Sequence, residues 1–330
     1  MQSDRRIPMN AARTFVLMCA GWSAATATVA ADYPDHPVRM IVPFAPGGFT
    51  DVVSRIVAQQ LTDIWNKIVV VDNRPGAGGT IGPAIASKAA ADGYTLLLGS
   101  NSTFSVNPAV YKQLPYDVFR DLDLVGLVAF SAHVVVVRAD IPANTIGELV
   151  ALAKKQPHKY TFASSGAGAA IHMAGELFGY QASIQLLHVP YKGGGPAAVA
   201  MLAGEVDMMV NDPGPLLPHI KSGKLRALAV ADKRRSALLP DLLTVAEAGV
   251  AGVESSSWAG IAVPRHTPPA VVKTISNATT RILGSPEYKA RLTGLGMEPL
   301  VMTPAETNAF IKSEIEKWTR IALLAQVQLE

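Results

Sequence analysis

The chain has 330 residues, of which 49% are hydrophobic, and a formal net charge of +3 at pH 7. This length allows two hydrophobic cores, and a charge so close to neutral excludes the strongly basic class of nucleic-acid-binding proteins. The one basic cluster, Lys233 to Arg235, is short, and we interpret it as a solvated turn. We therefore expect two domains and no nucleic-acid partner.

Residues 1–31 have the order of a secretory signal peptide. Three arginines precede the apolar segment Phe15 to Ala20, and a stretch of small residues ends at Ala31. No later stretch reaches the ~18 apolar residues that a membrane helix needs, so we expect a soluble protein released into the periplasm. The only cysteine, Cys19, falls inside the signal, which leaves the mature chain neither a disulfide nor a thiol nucleophile.

The first elements are a strand, a glycine turn and a helix. Val38 to Phe44 is a nearly unbroken apolar run, typical of a strand in a buried parallel sheet. Asp51 to Trp65 carries apolar residues at steps of three and four, which predicts a helix. Gly47 and Gly48 lie between them and allow a tight turn that directs several N–H groups to one point. Such a turn can bind an anion, and a plain strand-to-helix turn is the alternative.

The same arrangement returns along the chain. NRPGAGGTIG, SSGAGAAIHMAGE and VPYKGGGPA each follow a short apolar run and precede a helical pattern. The strand Tyr94 to Leu98 leads into Ser100 and Asn101, small polar residues at the strand end where open parallel sheets place ligands. This repetition favours anion binding over a chance turn.

The chain is expected to cross between its two domains twice. We place the first crossing in the extended segment Arg138 to Asn144 and the second at the strand Ser257 to Pro264. Residues 32–137 and 259–330 then form the first domain, and residues 138–258 form the second. Two extended crossings make a two-strand hinge.

With PFAPGGFTD, NRPGAGGTIG, SSGAGAAIHMAGE and VPYKGGGPA in this order, the chain resembles the Bug family. Bug proteins are extracytoplasmic solute receptors of tripartite tricarboxylate transporters. ADGYTLLLGSNS and SSWAGIAVP are also similar to family stretches, so the resemblance covers nearly the whole mature chain. It implies an α/β fold of the two-domain, type II-like periplasmic binding protein kind, with a ligand cleft between the domains. It also implies capture of a small carboxylate, chiefly by backbone amides, and delivery to membrane transporter subunits.

By this resemblance, binding residues lie on both sides of the cleft. Ser100 and Asn101 join them because they end a strand. The predicted set is Phe44, Gly47, Gly48, Asp51, Ser100 and Asn101 in the first domain, and Ser165, Gly166, Gly168, His172, Tyr191, Lys192 and Gly193 in the second. Ala169 stands where the family often has threonine, which removes one hydroxyl donor.

Three of these residues have a second interpretation. Asp51 can bond the amides of its own loop, and its carboxylate would repel an anionic ligand. Lys192 is either a ligand contact or a solvated surface charge. His172 and Glu176 are four residues apart on one helix face, but no third ligand is spaced to join them, so we predict neither a metal nor another cofactor.

The sequence is interpreted as a binding receptor and not an enzyme. It has no Gly-x-Ser-x-Gly elbow, no His-Glu-x-x-His motif and no phosphate-binding loop. Two other classes stay open, a secreted α/β enzyme acting on a small carboxylate and a sensory module that presents the ligand to a membrane kinase. The ligand is a di- or tricarboxylate, an acidic amino acid or an aromatic carboxylate, and we expect a monomer.

Overall fold

The computed structural model describes residues 33–330, and Pro34–Glu330 forms one compact unit. The predicted signal peptide and its cleavage site lie outside the described residues. Among the helices of residues 33–330, none is both long enough and apolar enough to cross a membrane.

The first sheet has five strands in the order β2-β1-β3-β10-β4. β1 pairs in parallel with β2 and β3, whereas β10 runs antiparallel between β3 and β4. The strands are β1 (Val38–Val42), β2 (Val69–Asn73), β3 (Thr95–Ser100), β4 (Leu122–Ala132) and β10 (Ser256–Pro264). Because helices cover this sheet, its inner strands are apolar along nearly their whole length, as the sequence predicted.

Six α-helices accompany the first sheet, and we call this sheet with its helices the first lobe. They are α1 (Phe49–Trp65), α2 (Ile81–Ala86), α3 (Asn107–Val110), α8 (Pro269–Leu283), α9 (Pro286–Thr293) and α10 (Pro304–Leu324). One core of the lobe joins Ile41 and Leu97 of the sheet to Ile311 of α10. A π-helical turn, Ser102–Val106, follows β3 and was not predicted from the sequence.

The second sheet has the order β7-β6-β8-β5-β9, and with its helices it forms the second lobe. Its strands are β5 (Val134–Arg138), β6 (Thr161–Ser164), β7 (Leu187–Pro190), β8 (Met208–Asn211) and β9 (Leu225–Val230), and its helices are α4 (Ile146–Lys155), α5 (Ala170–Ala182), α6 (Gly194–Leu202) and α7 (Pro213–Lys221). Alternate residues of β5 point to opposite faces, so Val135 joins a core with α4 and α5 and Val136 a core with α6.

The two sheets share one plan. Each has four strands that run in one direction and one antiparallel strand next to the edge, β10 in the first sheet and β5 in the second. Both antiparallel strands enter their sheet directly after the chain arrives from the other lobe. The carboxyl ends of the parallel strands therefore lead into the loops that face the opposite lobe.

The chain passes from the first lobe to the second at His133, between β4 and β5. The predicted crossing at Arg138 to Asn144 is therefore misplaced, because β5 already belongs to the second sheet. The run of valines in β5 is buried on both faces, and such a run does not disclose which sheet it joins. The remaining domain limits stay predictions.

His133 also ties the two crossings together. Its Nδ1 and Nε2 lie 2.9 Å from the hydroxyl oxygens of Ser255 and Ser257, which belong to the chain segment that returns to the first lobe. The His133 N–H donates to the Ser255 carbonyl, and its own carbonyl accepts from Ala231. Main-chain and side-chain hydrogen bonds thus join the two crossings around one buried imidazole.

Candidate functional site

The N-terminal ends of four helices surround a cavity between the lobes. Gly48, Phe49 and Thr50 start α1, Ala170 and Ile171 start α5, Gly194 starts α6, and Asp212 precedes α7. The other lining residues are Phe44, Ser100, Ser102, Ser165 and Ser257. The cavity volume is about 20 Å³, which is the space of one water molecule.

None of these four helices begins with a side-chain cap. The N-cap residues of α1, α5 and α6 are Gly48, Ala169 and Gly193, and none of them accepts a hydrogen bond through a side chain. By contrast, α4, α9 and α10 each begin with a threonine or serine that caps the helix. First-turn N–H groups have no intrahelical acceptor and carry the positive end of the helix dipole. Apart from the Ala170 N–H of α5, which donates to the Ser102 hydroxyl, the ends of α1, α5 and α6 therefore offer donors to an anion in the cavity.

The lobes touch around the cavity. The Ala45 N–H donates to the Lys192 carbonyl at 3.0 Å, and the Ala170 N–H donates to the Ser102 hydroxyl at 2.9 Å. On another side, the Tyr111 hydroxyl donates to the carbonyl of Ala167 at 3.1 Å. Hydrogen bonds between the two lobes therefore border the cavity on more than one side.

Glycine is needed where loops of the two lobes meet. A Cβ at Gly48 would lie 3.3 Å from the backbone nitrogens of Gly194 and Gly195. A Cβ at Gly78 would overlap the carbonyl oxygen of Ala167. A side chain at either position therefore holds the lobes apart. At Gly48 the reason is this close approach and not backbone strain, because its φ is −89°.

In the first lobe, the structure divides the predicted binding residues into two groups. Phe44, Gly48 and Ser100 line the cavity. Gly47, Asp51 and Asn101 do not, and their bonds stay inside the first lobe. The Asn101 side-chain amide donates to the Ser256 carbonyl at 2.5 Å, which fastens the end of β3 to β10.

Asp51 holds the glycine loop in shape. Its carboxylate accepts hydrogen bonds from the Gly47 N–H and the Asn73 amide, both at 3.0 Å, and pairs with Arg55 at 2.9 Å. Burial opposes the charged form, but the bonds from Arg55, Gly47 and Asn73 outweigh it and hold the pKa of Asp51 below its ordinary value. The geometry thus agrees with the structural interpretation of this residue.

In the second lobe, Ser165 lines the cavity and three predicted glycines stand at the contact between the lobes. Gly166 packs against Gly78, and Gly193 packs against Ala45. The Gly168 N–H is not free for a ligand, because it donates to Nδ1 of His172 at 3.1 Å.

His172 supports this loop from behind and does not line the cavity. It is buried and stacks on His188 with ring centroids 3.9 Å apart, and its Nε2 lies 3.4 Å from Glu176. In the part of the chain that the structure describes, no three His, Cys, Asp or Glu side chains are placed to hold a metal ion.

Tyr191 and Lys192 lie at the rim. The Tyr191 hydroxyl donates to Glu205 at 3.1 Å, and the residue lines a separate surface cavity. The Lys192 side chain is exposed, while its carbonyl accepts the Ala45 N–H. Of the two interpretations of Lys192, the geometry favours the solvated charge.

Asp212 and Ser257 are cavity residues that the sequence analysis missed. Asp212 directly follows β8, so the argument that selected Ser100 at the end of β3 could also have found it. Ser257 lies in a stretch whose apolar pattern predicts only a strand that returns to the first domain, and no ligand contact. The other lining residues outside the predicted set are Phe49, Thr50, Ser102, Ala170, Ile171 and Gly194.

The Asp212 carboxyl is 1% exposed and has one hydrogen bond. The Ser257 hydroxyl donates to Oδ2 at 3.0 Å, while Oδ1 has no partner and lies 3.8 Å from Nε2 of His133. Burial raises the pKa of Asp212 to about 7, and the hydroxyl groups of Ser257 and Ser131 and the Asp212 backbone N–H oppose this rise. Burial also lowers the pKa of His133 to about 3, so this imidazole is neutral and gives Asp212 no positive charge.

A larger cavity, of about 730 Å³, lies elsewhere. It is bordered by Phe130, residues 234–238 and residues 296–299. None of the predicted binding residues lines it, and its charges are mixed, with Arg234 and Lys289 near Asp232 and Glu298. The converging helix ends make the smaller cavity the candidate site, although its closed volume is less.

Comparison with known proteins gives one consistent family. The model described as "Tripartite tricarboxylate transporter family receptor" matches residues 53–326. Protein BugT of Bordetella pertussis is 37% identical over 314 residues, which cover 93% of this chain and 96% of BugT. A protein encoded in the tcbD-tcbE intergenic region of Pseudomonas sp. is 36% identical over 290 residues, which cover 88% of this chain and 86% of that protein.

Solved structures agree. The periplasmic binding protein BugD superposes with a TM-score of 0.86 at 36% identity, covering 90% of this chain and 100% of BugD. An R. palustris protein solved with adipate gives a TM-score of 0.87 at 30% identity, with coverage of 90% and 100%. MatC from Rhodopseudomonas palustris, solved with bound malate, gives 0.84 at 28% identity, with coverage of 88% and 99%.

Proposed function

This chain belongs to the tripartite tricarboxylate transporter receptor family, and we propose that it closes its lobes on a small organic carboxylate and delivers it to membrane transporter subunits. Proteins of this family are solute-binding receptors and not enzymes. The ligand is therefore released unchanged. The relatives solved with adipate and malate support a dicarboxylate as the ligand of this receptor.

One observation carries the proposal, namely that the uncapped ends of α1, α5 and α6 meet at a cavity without a cationic side chain among its lining residues. A hydrogen bond to a charged group contributes roughly 1.5 to 3 kcal/mol. Three or four such bonds supply much of the ~8 kcal/mol of micromolar binding, before the costs of association. Main-chain donors therefore suffice to hold a carboxylate.

The predicted site residues take two roles in this proposal. Phe44, Gly48, Ser100 and Ser165 contact the ligand, because they line the cavity. The remaining predicted residues keep the two faces of the cleft in shape. They are Gly47, Asp51, Asn101, Gly166, Gly168, His172, Tyr191, Lys192 and Gly193.

Binding is coupled to rotation about the hinge at His133. The closed cavity of about 20 Å³ is smaller than any dicarboxylate, so the lobes open to admit the ligand and then close on it. Small-angle scattering at saturating ligand tests this coupling. We expect the radius of gyration to fall, and an unchanged radius would contradict a ligand-driven closure.

The experiment that tests the function is a thermal-shift screen. Adipate, malate, citrate, aspartate and benzoate are compared with adipamide and benzamide, which keep the shape and lose the charge. A ligand at 100 times its dissociation constant stabilises the native state by about 2.7 kcal/mol, so at least one acid should raise the melting temperature. If no acid does so while an amide does, the proposed carboxylate specificity is wrong.

We also propose export to the periplasm, cleavage near Ala31 and a monomeric mature protein. The order of charged, apolar and small residues in 1–31 supports the cleavage. Intact mass spectrometry of the periplasmic protein measures the cleavage site, and light scattering measures the mass in solution. A mature species that retains Phe15 to Ala20, or a stable dimer, would contradict the respective statement.

A further inference from the structure

Unpaired buried polar atoms cluster at one place. In residues 33–330, four buried side-chain atoms have no hydrogen-bond partner, and two of them, Ser100 Oγ and Asp212 Oδ1, belong to residues that line the cavity. A third, Asn211 Nδ2, lies beside the cavity residue Gly194, 3.8 Å from where its Cβ would be. Buried polar atoms in folded proteins nearly always have partners. Such a concentration therefore points to bonds that are completed by a ligand.

Asp212 is free because its own helix does not use it: of the two N–H positions that a cap can reach, one is a proline, and the Gly214 N–H makes no bond to the carboxyl. An aspartate at the N-cap usually accepts a hydrogen bond from the N–H of the second or third helical residue. In α7 the third residue is Pro215, which has no N–H, and the first is Pro213. The Asp212 side chain accordingly makes no capping bond.

No cationic side chain among the residues that line the cavity compensates Asp212 either. It is the one ionisable side chain among the residues that line the cavity, and the nearest imidazole, His133, is neutral. Ser257 satisfies Oδ2 alone. A buried carboxyl with an unused oxygen is costly, and a donor group from outside the protein removes that cost.

We propose that Asp212 selects carboxylates that also carry a hydrogen-bond donor, either an ammonium or a hydroxyl group. This inference rests on the proposed function, in which the ligand carboxylate occupies the ends of α1, α5 and α6. The ammonium or hydroxyl group of the ligand then donates to Oδ1 of Asp212, which lines the same cavity at the start of α7. The receptor thus prefers amino or hydroxy acids over the plain acids of equal length.

Calorimetric titration with matched acids tests the preference. The sets are succinate, malate and aspartate; glutarate, 2-hydroxyglutarate and glutamate; and adipate, 2-hydroxyadipate and 2-aminoadipate. In at least one set, the wild-type protein should bind a donor-bearing acid roughly tenfold or more tightly than the plain acid, as expected for one bond to a charged group. The tighter member of the pair identifies the donor as ammonium or hydroxyl.

Asp212→Asn should reduce this preference below about threefold, and circular dichroism reports whether the variant is folded. Asp207→Asn is the matched control, because Asp207 lies in the same lobe and bonds Thr161 outside the cavity. It should retain the wild-type preference.

Three results would overturn the inference. If plain acids bind the wild-type protein as tightly as their donor-bearing partners, or if Asp212→Asn keeps the preference, only the role of Asp212 is wrong. If none of the acids binds the wild-type protein, both the proposed function and the inference about Asp212 are wrong. Should Asp212→Asn not fold, the wild-type ratios decide the question alone.

Discussion

Two buried carboxylates stand near helix starts on opposite sides of the same cleft, and they differ in their bonding. Asp51, in the first turn of α1, is 3% exposed and has donors from Gly47, Asn73 and Arg55. Asp212, before α7, is 1% exposed, and the Ser257 hydroxyl donates to its Oδ2 while Oδ1 has no hydrogen-bond partner. Position near a helix start therefore does not determine the role of an aspartate. The number of hydrogen-bond partners determines this role. An aspartate whose oxygens are all bonded shapes its loop, whereas one with an unbonded oxygen can still accept a hydrogen bond from a ligand.

The pKa values follow the same division. The donors around Asp51 keep its pKa below the ordinary value, while burial raises that of Asp212 to about 7. The first carboxylate stays charged at neutral pH, and the second gains or loses its proton near neutrality.

The different roles of Asp51 and Asp212 in binding require that the lobes close on the ligand. Gly48→Val should prevent this closure. The new side chain would meet the backbone of Gly194 and Gly195, which cannot retreat without opening the cleft. We expect carboxylate binding to become unmeasurable by calorimetry, while the protein remains folded by circular dichroism. Gly147→Val is the control, because a Cβ there meets only Thr145 Oγ1, at 3.9 Å, and it should bind as wild type. Wild-type affinity in Gly48→Val would disprove the close approach.

The proton of Asp212 should appear in the pH dependence of stability. Its pKa in the folded protein, about 7, is above the ordinary 3.8, so the folded state holds an extra proton between these values. The stability that it contributes is present below about pH 4 and is lost as the pH rises through 7. A shift of this size corresponds to at most about 4 kcal/mol.

Urea denaturation of the wild-type protein and Asp212→Asn from pH 4 to 8 measures this effect. His133, whose folded pKa of about 3 is below the ordinary 6.5, acts with the opposite sign in both proteins, so it cancels in their difference. The free energy of unfolding of the variant should rise relative to wild type with increasing pH. A difference that is independent of pH would show that Asp212 is not a buried titrating group.

Asp51→Ala should cost stability and leave selectivity unchanged. The substitution removes the acceptor of Gly47, Asn73 and Arg55, and we expect a loss of about 2 kcal/mol in the free energy of unfolding, because Arg55 remains half exposed. The ratio of affinities for malate and succinate should stay at its wild-type value. An altered ratio without a loss of stability would make Asp51 a ligand contact.

Lys192→Ala should have the smallest effect. The exposed side chain adds at most a partly solvated charge, and its backbone carbonyl, which bonds Ala45, is kept. Binding should weaken by about tenfold or less. Lys155→Ala, on the exposed end of α4, controls for a general change of surface charge. Loss of all binding in Lys192→Ala alone would place a cation at the centre of recognition.

The sequence predicted the parts of the site whose cause is local. Strand, glycine and helix follow one another within a few residues around Gly48, so apolar periodicity and the glycine pair sufficed to place the start of α1. The fold class followed from the resemblance and is confirmed by the solved relatives.

What the sequence did not predict depends on topology. Ser257 reaches the cavity only because β10 inserts between β3 and β4. In the same way β5 inserts next to β8, so the chain crosses at His133 and not, as predicted, after Arg138. Asp51 and Asp212 each lie near a helix start that follows a strand. Their partners are distant in sequence: Asn73 donates to Asp51, and Ser257 donates to Asp212.

The central claim is that main-chain N–H groups at helix starts hold the ligand carboxylate. Nuclear magnetic resonance of protein labelled with ¹⁵N-glycine, titrated with the tightest acid from the screen, tests it most directly. We predict that the largest downfield amide shifts occur at Gly48, Gly194 and Gly195, while Gly147 in α4 does not move. Unmoved amides at these three glycines under saturating ligand would contradict the claim.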